Sequence, residues 1–399
     1  MLLRLAAKSL MDRKGSVVLT CIAMMISIFV LLGVEHVRKE AKNSFSSTVS
    51  GVDLIVGARS GSLNLLLYSV FRMGSPVNNI DWQSYQGIAD NSDVAWTIPI
   101  SLGDSHRGFR VMGTTVDYFE HYRYGNKRNL EFAHGAPFGE TYDVVMGAGV
   151  AKTLNYQLGD AVVLSHGIGE TSFTDHSDYP FKITGILRPT GTPVDQTVHV
   201  RLDGIEAIHL PPGVNNPDLQ PSTITAFMVG LKSRMSTFSL QREVNEFKSE
   251  ALTAILPGVA LSELWSTMAM LEGTLQLVSS LVFVAALLGM AAMMAATIRE
   301  RRLETTLLRI IGAPAGFLFI LFQLEAILIS VISILGGAAL LSLTLVVAQK
   351  PIAANLGLHL SADLMTFSTL VIVASIMLAT IVVASLPAFQ AYSQARKAS

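Results

Sequence analysis

The chain has 399 residues, of which 50% are hydrophobic and only 15% charged, where soluble domains carry about 25% charge. That balance excludes an ordinary soluble globule and points to a membrane protein. A formal net charge of -1 lacks the basic footprint of a nucleic-acid binder, and a single cysteine, Cys21, set in an apolar run, excludes a disulfide framework.

Residues 1–15 place Arg4, Lys8, Arg13 and Lys14 among Leu2, Leu3, Leu5, Ala6 and Leu10, which predicts an amphipathic helix on the anionic cytoplasmic face of a membrane. Residues 16–34 follow without a charge and form the first predicted span (TM1). A signal peptide also begins with a basic stretch before an apolar core. This core is too long for one, and no small-residue cleavage site follows it.

The next 238 or so residues, 35–272, are polar and rich in turn signals, and such a stretch is large enough to bury its own core. A helical stalk is predicted over 37–47, then a strand at 52–56, a helix at 82–89 and a strand at 94–102. A similar order returns at the far end: a strand at 225–231, a helix over 237–252 and a strand at 259–261. The two units predict one α+β subdomain built from both ends of the insertion. The middle reads as a second, all-β lobe packed on itself, with strands at 109–113, 143–146, 161–165, 181–187 and 197–200. Within 57–80, Leu63, Leu66, Leu67, Val70 and Phe71 fall at helical spacing. Two readings stand for this segment: a helix packed on the neighbouring sheet, or a helix near the outer leaflet lining a route for an apolar substrate.

Three further spans are predicted at 275–298 (TM2), 317–348 (TM3) and 365–387 (TM4), with an outer loop at 349–363 and a tail at 388–399. The N-terminal cations, the arginines of 299–309, and Arg396 with Lys397 all lie on one side if four spans leave both termini in the cytoplasm. The charged island at 299–314 is patterned for a surface helix. Leu303, Leu307, Ile310 and Ile311 make one stripe, and Arg302, Thr305 and Arg309 share the opposite face. Arg299, Arg301, Arg302 and Arg309 outnumber Glu300 and Glu304, leaving the island positive.

The sequence contains no GxxxxGK[ST] loop for a nucleotide phosphate, no HExxH and no paired CxxC. Nine histidines all fall outside the predicted spans. His166, Asp175, His176 and Asp178 cluster in sequence, but their spacing matches no tight ligand motif, and scattered surface histidines account for them; no metal is expected. Glu325 is the one acid well inside an apolar run, with Gln323 two positions before it. It must face the bundle interior with a partner or reach the cytoplasmic interface. Gly336 and Gly337, followed by Ala338 and Ala339, suit close helix contact and suggest packing against another subunit.

These pieces resemble a known family. ERRLETTLLRIIGA (300–313), then Gln323, Glu325 and Gly336-Gly337, is similar to the signature of MacB/FtsX-type ABC transporter permeases, the type VII group that includes macrolide exporters and lipoprotein-release permeases. LPAFQAYSQA (386–395) resembles that family's ending and LAAKSLMDRKG (5–15) its N-terminal helix. RVMGTTVDYF (110–119), GAGVAKTLNYQLGDAV (147–162) and ITGILRPTGTPVDQTVHV (183–200) resemble its periplasmic core.

The resemblance implies four transmembrane helices in a 1 + 3 arrangement, with a large two-lobed α+β periplasmic domain inserted between helices 1 and 2, in the inner membrane. Two copies would pair, and each would dock a separate ABC ATPase through Arg299, Arg301, Arg302, Glu304, Thr305 and Arg309 of a coupling helix. Because the chain starts at the amphipathic helix, the ATPase is expected on another subunit, which would hold the ATP and Mg; the permease itself would be non-catalytic and carry no cofactor. Membrane lipid and a periplasmic protein complete the expected partners, with no nucleic acid. The implied activity is export or extraction of an amphiphile, such as a lipoprotein, peptide or drug-like molecule. Two alternatives remain beside it: transmission of force to a periplasmic partner without cargo, and handling of metal by the external histidines.

Overall fold

The computed structural model describes residues 2–166, 179–209, 219–300, 307, 313–356 and 363–397. The chain divides into two compact units. One comprises residues 1–40, 269–348 and 361–399, and the other 41–268 with 349–360.

The first unit is helical. A short helix, Leu2–Asp12, precedes four long ones: Lys14–Thr48, Pro257–Glu300, Ala315–Leu356 and Phe367–Lys397. Each holds a stretch long and apolar enough to cross a membrane. All four run beyond the predicted spans. The first absorbs the predicted stalk, the third continues into the predicted outer loop as far as Leu356, and the fourth runs through Pro387 into the tail. The second begins at Pro257, whose fixed φ suits a first helical turn where no amide partner is needed.

Small and polar side chains knit this unit. The Ser333 hydroxyl donates to the Cys21 carbonyl at 3.3 Å, and Thr380 donates to Ser330 at 3.2 Å. Gly336 and Gly337 press on the first long helix of their own chain. A Cβ at Gly336 would stand 2.3 Å from the Met25 side chain, and one at Gly337 would stand 3.0 Å from the Met25 carbonyl. This corrects the expectation that the pair serves contact with another subunit: their missing side chains admit a neighbour within the same bundle.

Among the described residues the second unit is built on an eleven-stranded sheet, nine strands of which form one continuous path. Strands 252–255, 54–58, 226–231 and 94–106 lie side by side and antiparallel, with Val56 opposite Ala254, Leu54 opposite Val229 and Met228 opposite Ile98. The period of two sends alternate side chains to opposite faces. Leu54 and Val56 join Tyr85, Ile88, Leu240 and Val244 of helices Trp82–Ala89 and Thr237–Asn245, while Ile55 joins Leu65 and Leu66 of helix Ser62–Val70. Both ends of the insertion therefore make one subdomain, as predicted. The helix at 62–70 packs on the sheet, the plainer of its two readings: Gly57 leaves the space that Leu65 and Tyr68 fill, since a Cβ there would lie 2.5 Å from Leu65.

Two details differ. The final strand is Leu252–Ile255, since residues 257–261 already belong to the helix that Pro257 starts. The middle segment is also neither all-β nor a separate sheet. Strand Val94–His106, 13 residues long, pairs with 226–231 over one part and with 109–114 over the rest. The path then runs through 197–201, 143–146 and 181–187 to 132–135, with parallel pairings at 109–114/197–201 and 143–146/181–187. Helices Asp117–His121, Ala148–Leu154 and Leu202–His209 interrupt these strands.

Candidate functional site

Glu325 lies on the third long helix with its side chain 2% exposed. A carboxylate in such surroundings needs a cation and further donors to stay ionised. Arg13 supplies the cation: its Nη2 donates to Glu325 Oε2 at 2.9 Å. The Ser9 hydroxyl donates to the other carboxylate oxygen, and Arg13 Nη1 donates to the Thr297 hydroxyl. Arg13 also turns back to its own helix, with Nη2 3.2 Å from Ser9 Oγ and Nε 3.4 Å from the Ser9 carbonyl.

The chain folds locally to make this possible. Ala6, Ser9 and Leu10 recur at i, i+3 and i+4 and form the buried face of helix Leu2–Asp12, while Leu3 and Met11 stay exposed. Arg13 follows at the junction with the first long helix and lies on Ser9's side of the turn. One guanidinium thus joins the N-terminal helix, the second long helix at Thr297 and the third at Glu325. Thr297 is buried two residues before Arg299, which is exposed in the last turn of its helix. A further tie lies beside it: Gln323 Nε2 donates to Ser385 Oγ at 2.8 Å and to the Ile381 carbonyl at 3.2 Å, joining the third and fourth helices.

A model of the MacB-like periplasmic core domain matches residues 17–247, more than half of the chain. The chain belongs to the MacB-like permeases of ABC transporters. Among solved structures, the periplasmic region of MacB from Actinobacillus actinomycetemcomitans is similar at 11% identity and TM-score 0.37, covering 54% of this chain and 94% of its own. The extracellular domain of the noncanonic ABC-type transporter YknZ from Gram-positive bacteria is similar at 12% identity and TM-score 0.32, covering 51% of this chain and 99% of its own. No curated protein matches.

In this MacB-like permease, of the residues predicted to contact an ATPase, Arg299 is described; Arg301, Arg302, Glu304, Thr305 and Arg309 lie outside the described residues. Leu307, from the predicted apolar stripe, is helical and 58% exposed. Glu325 and Gln323 both point to partners within the bundle. The sequence marks Arg13 only as one of the cations of the N-terminal helix, and Ser9 and Thr297 carry no signal of their own. The available signal was the demand of an acid in an apolar run for a cation at the same depth, which the N-terminal helix could meet.

The histidines depart from expectation. His36, His106 and His199 are buried rather than scattered over the surface. His106 Nδ1 donates to the Val163 carbonyl at 2.7 Å, its Nε2 lies 2.9 Å from the Tyr156 hydroxyl, and burial lowers its pKa. His199 is fully buried beside Tyr118. Burial first, and then the charge of Arg72, pull it down to about 3, so the ring is neutral. Burial likewise pushes Tyr118 up to about 12. Asp175, His176 and Asp178 lie outside the described residues. Asp117, Glu120 and His121 share one turn of helix instead, with ligand-capable atoms within 4.8 Å of one another. Thr115 donates to Asp117 at 2.9 Å and His121 stacks on Trp96, so this partly exposed group has ordinary protein partners.

Proposed function

We propose that this permease couples ATP hydrolysis on a separate ATPase subunit to the export or extraction of an amphiphilic substrate at the outer face of the inner membrane. In this reading residues 35–272 face the periplasm, both termini lie in the cytoplasm, and two copies act together. The ATPase holds the ATP and Mg, and the permease needs no cofactor of its own.

The observation that carries the reading is the Arg13 network. It ties the basic N-terminal helix and the buried carboxylate of the third long helix to Thr297, at the foot of the charged island. A push on the island by an ATPase would reach three helices at once, because buried charge pairs resist separation more than apolar contacts do. The positive excess of the island agrees with a cytoplasmic position.

The test is reconstitution of the permease with its ATPase in lipid. Arg302→Glu with Arg309→Glu should weaken ATPase binding and abolish permease-dependent stimulation of hydrolysis; undiminished binding would overturn the coupling assignment. Stimulation by an amphiphile would support transport. Hydrolysis that no amphiphile alters, but a periplasmic protein does, would favour force transmission.

A further inference from the structure

The helical unit contains a groove that none of the preceding assignments uses. A cavity of about 320 Å³ lies between the first, second and fourth long helices. Its polar end holds Glu35, Arg38 and Glu272, and its other end Phe283, Leu287 and Ile376. It shares Val284, Leu287, Ser375 and Ala379 with a second cavity of about 380 Å³, which continues between the second and fourth helices toward Val383. From Glu272 to Leu287 the helix rises roughly 22 Å, more than the ~15 Å hydrocarbon depth of one leaflet. The combined slot is long enough to take an extended alkyl chain from the interface past the bilayer midplane.

Below the charged end, Gln276 adds one amide to a wall that is otherwise largely hydrocarbon. Ser279, Ser280 and Ser375 spend their hydroxyls on carbonyls of their own helices at 2.7, 2.7 and 2.8 Å. Charge is confined to the outer end and is unbalanced. Arg38 grips Glu35 through two hydrogen bonds, of 3.0 and 2.9 Å, while Glu272 stands 3.6 Å from the same guanidinium. One cation between two carboxylates leaves the end at -1. Glu272 is paired with Arg38 through one carboxylate oxygen, which leaves other lone-pair directions to receive a further N–H donor.

We propose that this slot binds a single-chain amphiphile with a protonated amine head, its chain along the second and fourth helices and its ammonium on Glu272. The excess negative charge selects against phosphate and carboxylate heads, and Arg38 is already shared between Glu35 and Glu272. The charged mouth likewise disfavours an apolar helix of a second copy, which would leave the carboxylates facing hydrocarbon. The proposal deepens the transport reading by naming the substrate class, and it rests on that reading only for the fate of the bound molecule.

The test uses the full chain in phosphatidylcholine nanodiscs, without the ATPase. Dodecylamine, dodecanol and dodecanoate compete against a fluorescent alkylamine. The amine should bind at least tenfold more tightly than the alcohol, and the carboxylate should bind most weakly. Glu272→Gln should reduce amine affinity about tenfold and leave the alcohol unchanged. Val284→Trp, which fills the slot from an exposed wall position, should abolish binding of all three without lowering the melting temperature. Equal binding of the three heads, or an amine affinity indifferent to Glu272→Gln, would overturn the proposal, since the groove would then be lined by bulk lipid. Adding the ATPase separates the two claims. Amine binding without stimulated hydrolysis leaves the site standing and counts against transport, whereas stimulation by other amphiphiles without amine binding does the reverse.

Discussion

Separating Arg13 from Glu325 should strongly destabilise the helical unit. Their exposures are 15% and 2%, so either charge left alone would be buried without its counter-ion, a cost of about 3–5 kcal/mol. Arg13→Met leaves Glu325 with the Ser9 hydroxyl as its named donor, and Glu325→Leu leaves Arg13 with Thr297 and Ser9, neither of which is charged. The double variant removes both charges and their desolvation together, so it should lie within about 1–2 kcal/mol of the wild type, since apolar replacements of buried pairs are often neutral or stabilising. The assay is a double-mutant cycle read by equilibrium unfolding in mixed micelles. A coupling energy of about 4 kcal/mol or more is expected. Single variants within about 1 kcal/mol of the wild type, or costs that merely add in the double variant, would refute the claim that the two residues form one buried pair.

The remaining consequences are narrower. Gly336→Leu should destabilise the bundle, because its side chain would occupy the position of Met25, whereas Gly289→Leu, with nothing within 4 Å of its Cβ site, should be tolerated; equal melting temperatures for the two would refute the packing argument. His199 takes up its proton at about 3 in the fold and at ~6.5 in the unfolded chain. Its contribution is therefore complete above pH ~6.5 and is lost progressively as pH falls toward 3, by up to about 1.4 kcal/mol per pH unit. Between pH 7 and 5 the wild type should lose about 2 kcal/mol more than His199→Gln, measured by unfolding at both pH values; parallel losses would show that the ring does not titrate between the two states.

Much of the architecture was legible because its physical signals are local. Bilayer thickness demands about 20 apolar residues per span, and four such runs stand out in the sequence. Strands 143–146 and 181–187 and the helix at 82–89 were readable from alternation and helical spacing to the residue. Errors arose where a neighbour in space, not in sequence, decides. Strand 94–106 runs past the 94–102 read from its alternation because it pairs with 226–231 over one part and with 109–114 over the rest. Gly336 reads as an open contact surface until Met25 occupies it.

The candidate site divides the same way. An acid at 325 in an apolar run announces its need for a partner from sequence alone, because an unpaired carboxylate in hydrocarbon is too costly to keep. The positive excess of the island at 299–314 is legible for an equally local reason. That the partner is Arg13, 312 residues away, with Ser9 and Thr297 sharing it, was decided only when the helices packed. Charge and hydropathy are properties of a residue, whereas hydrogen-bond geometry belongs to helices that chain order does not place side by side.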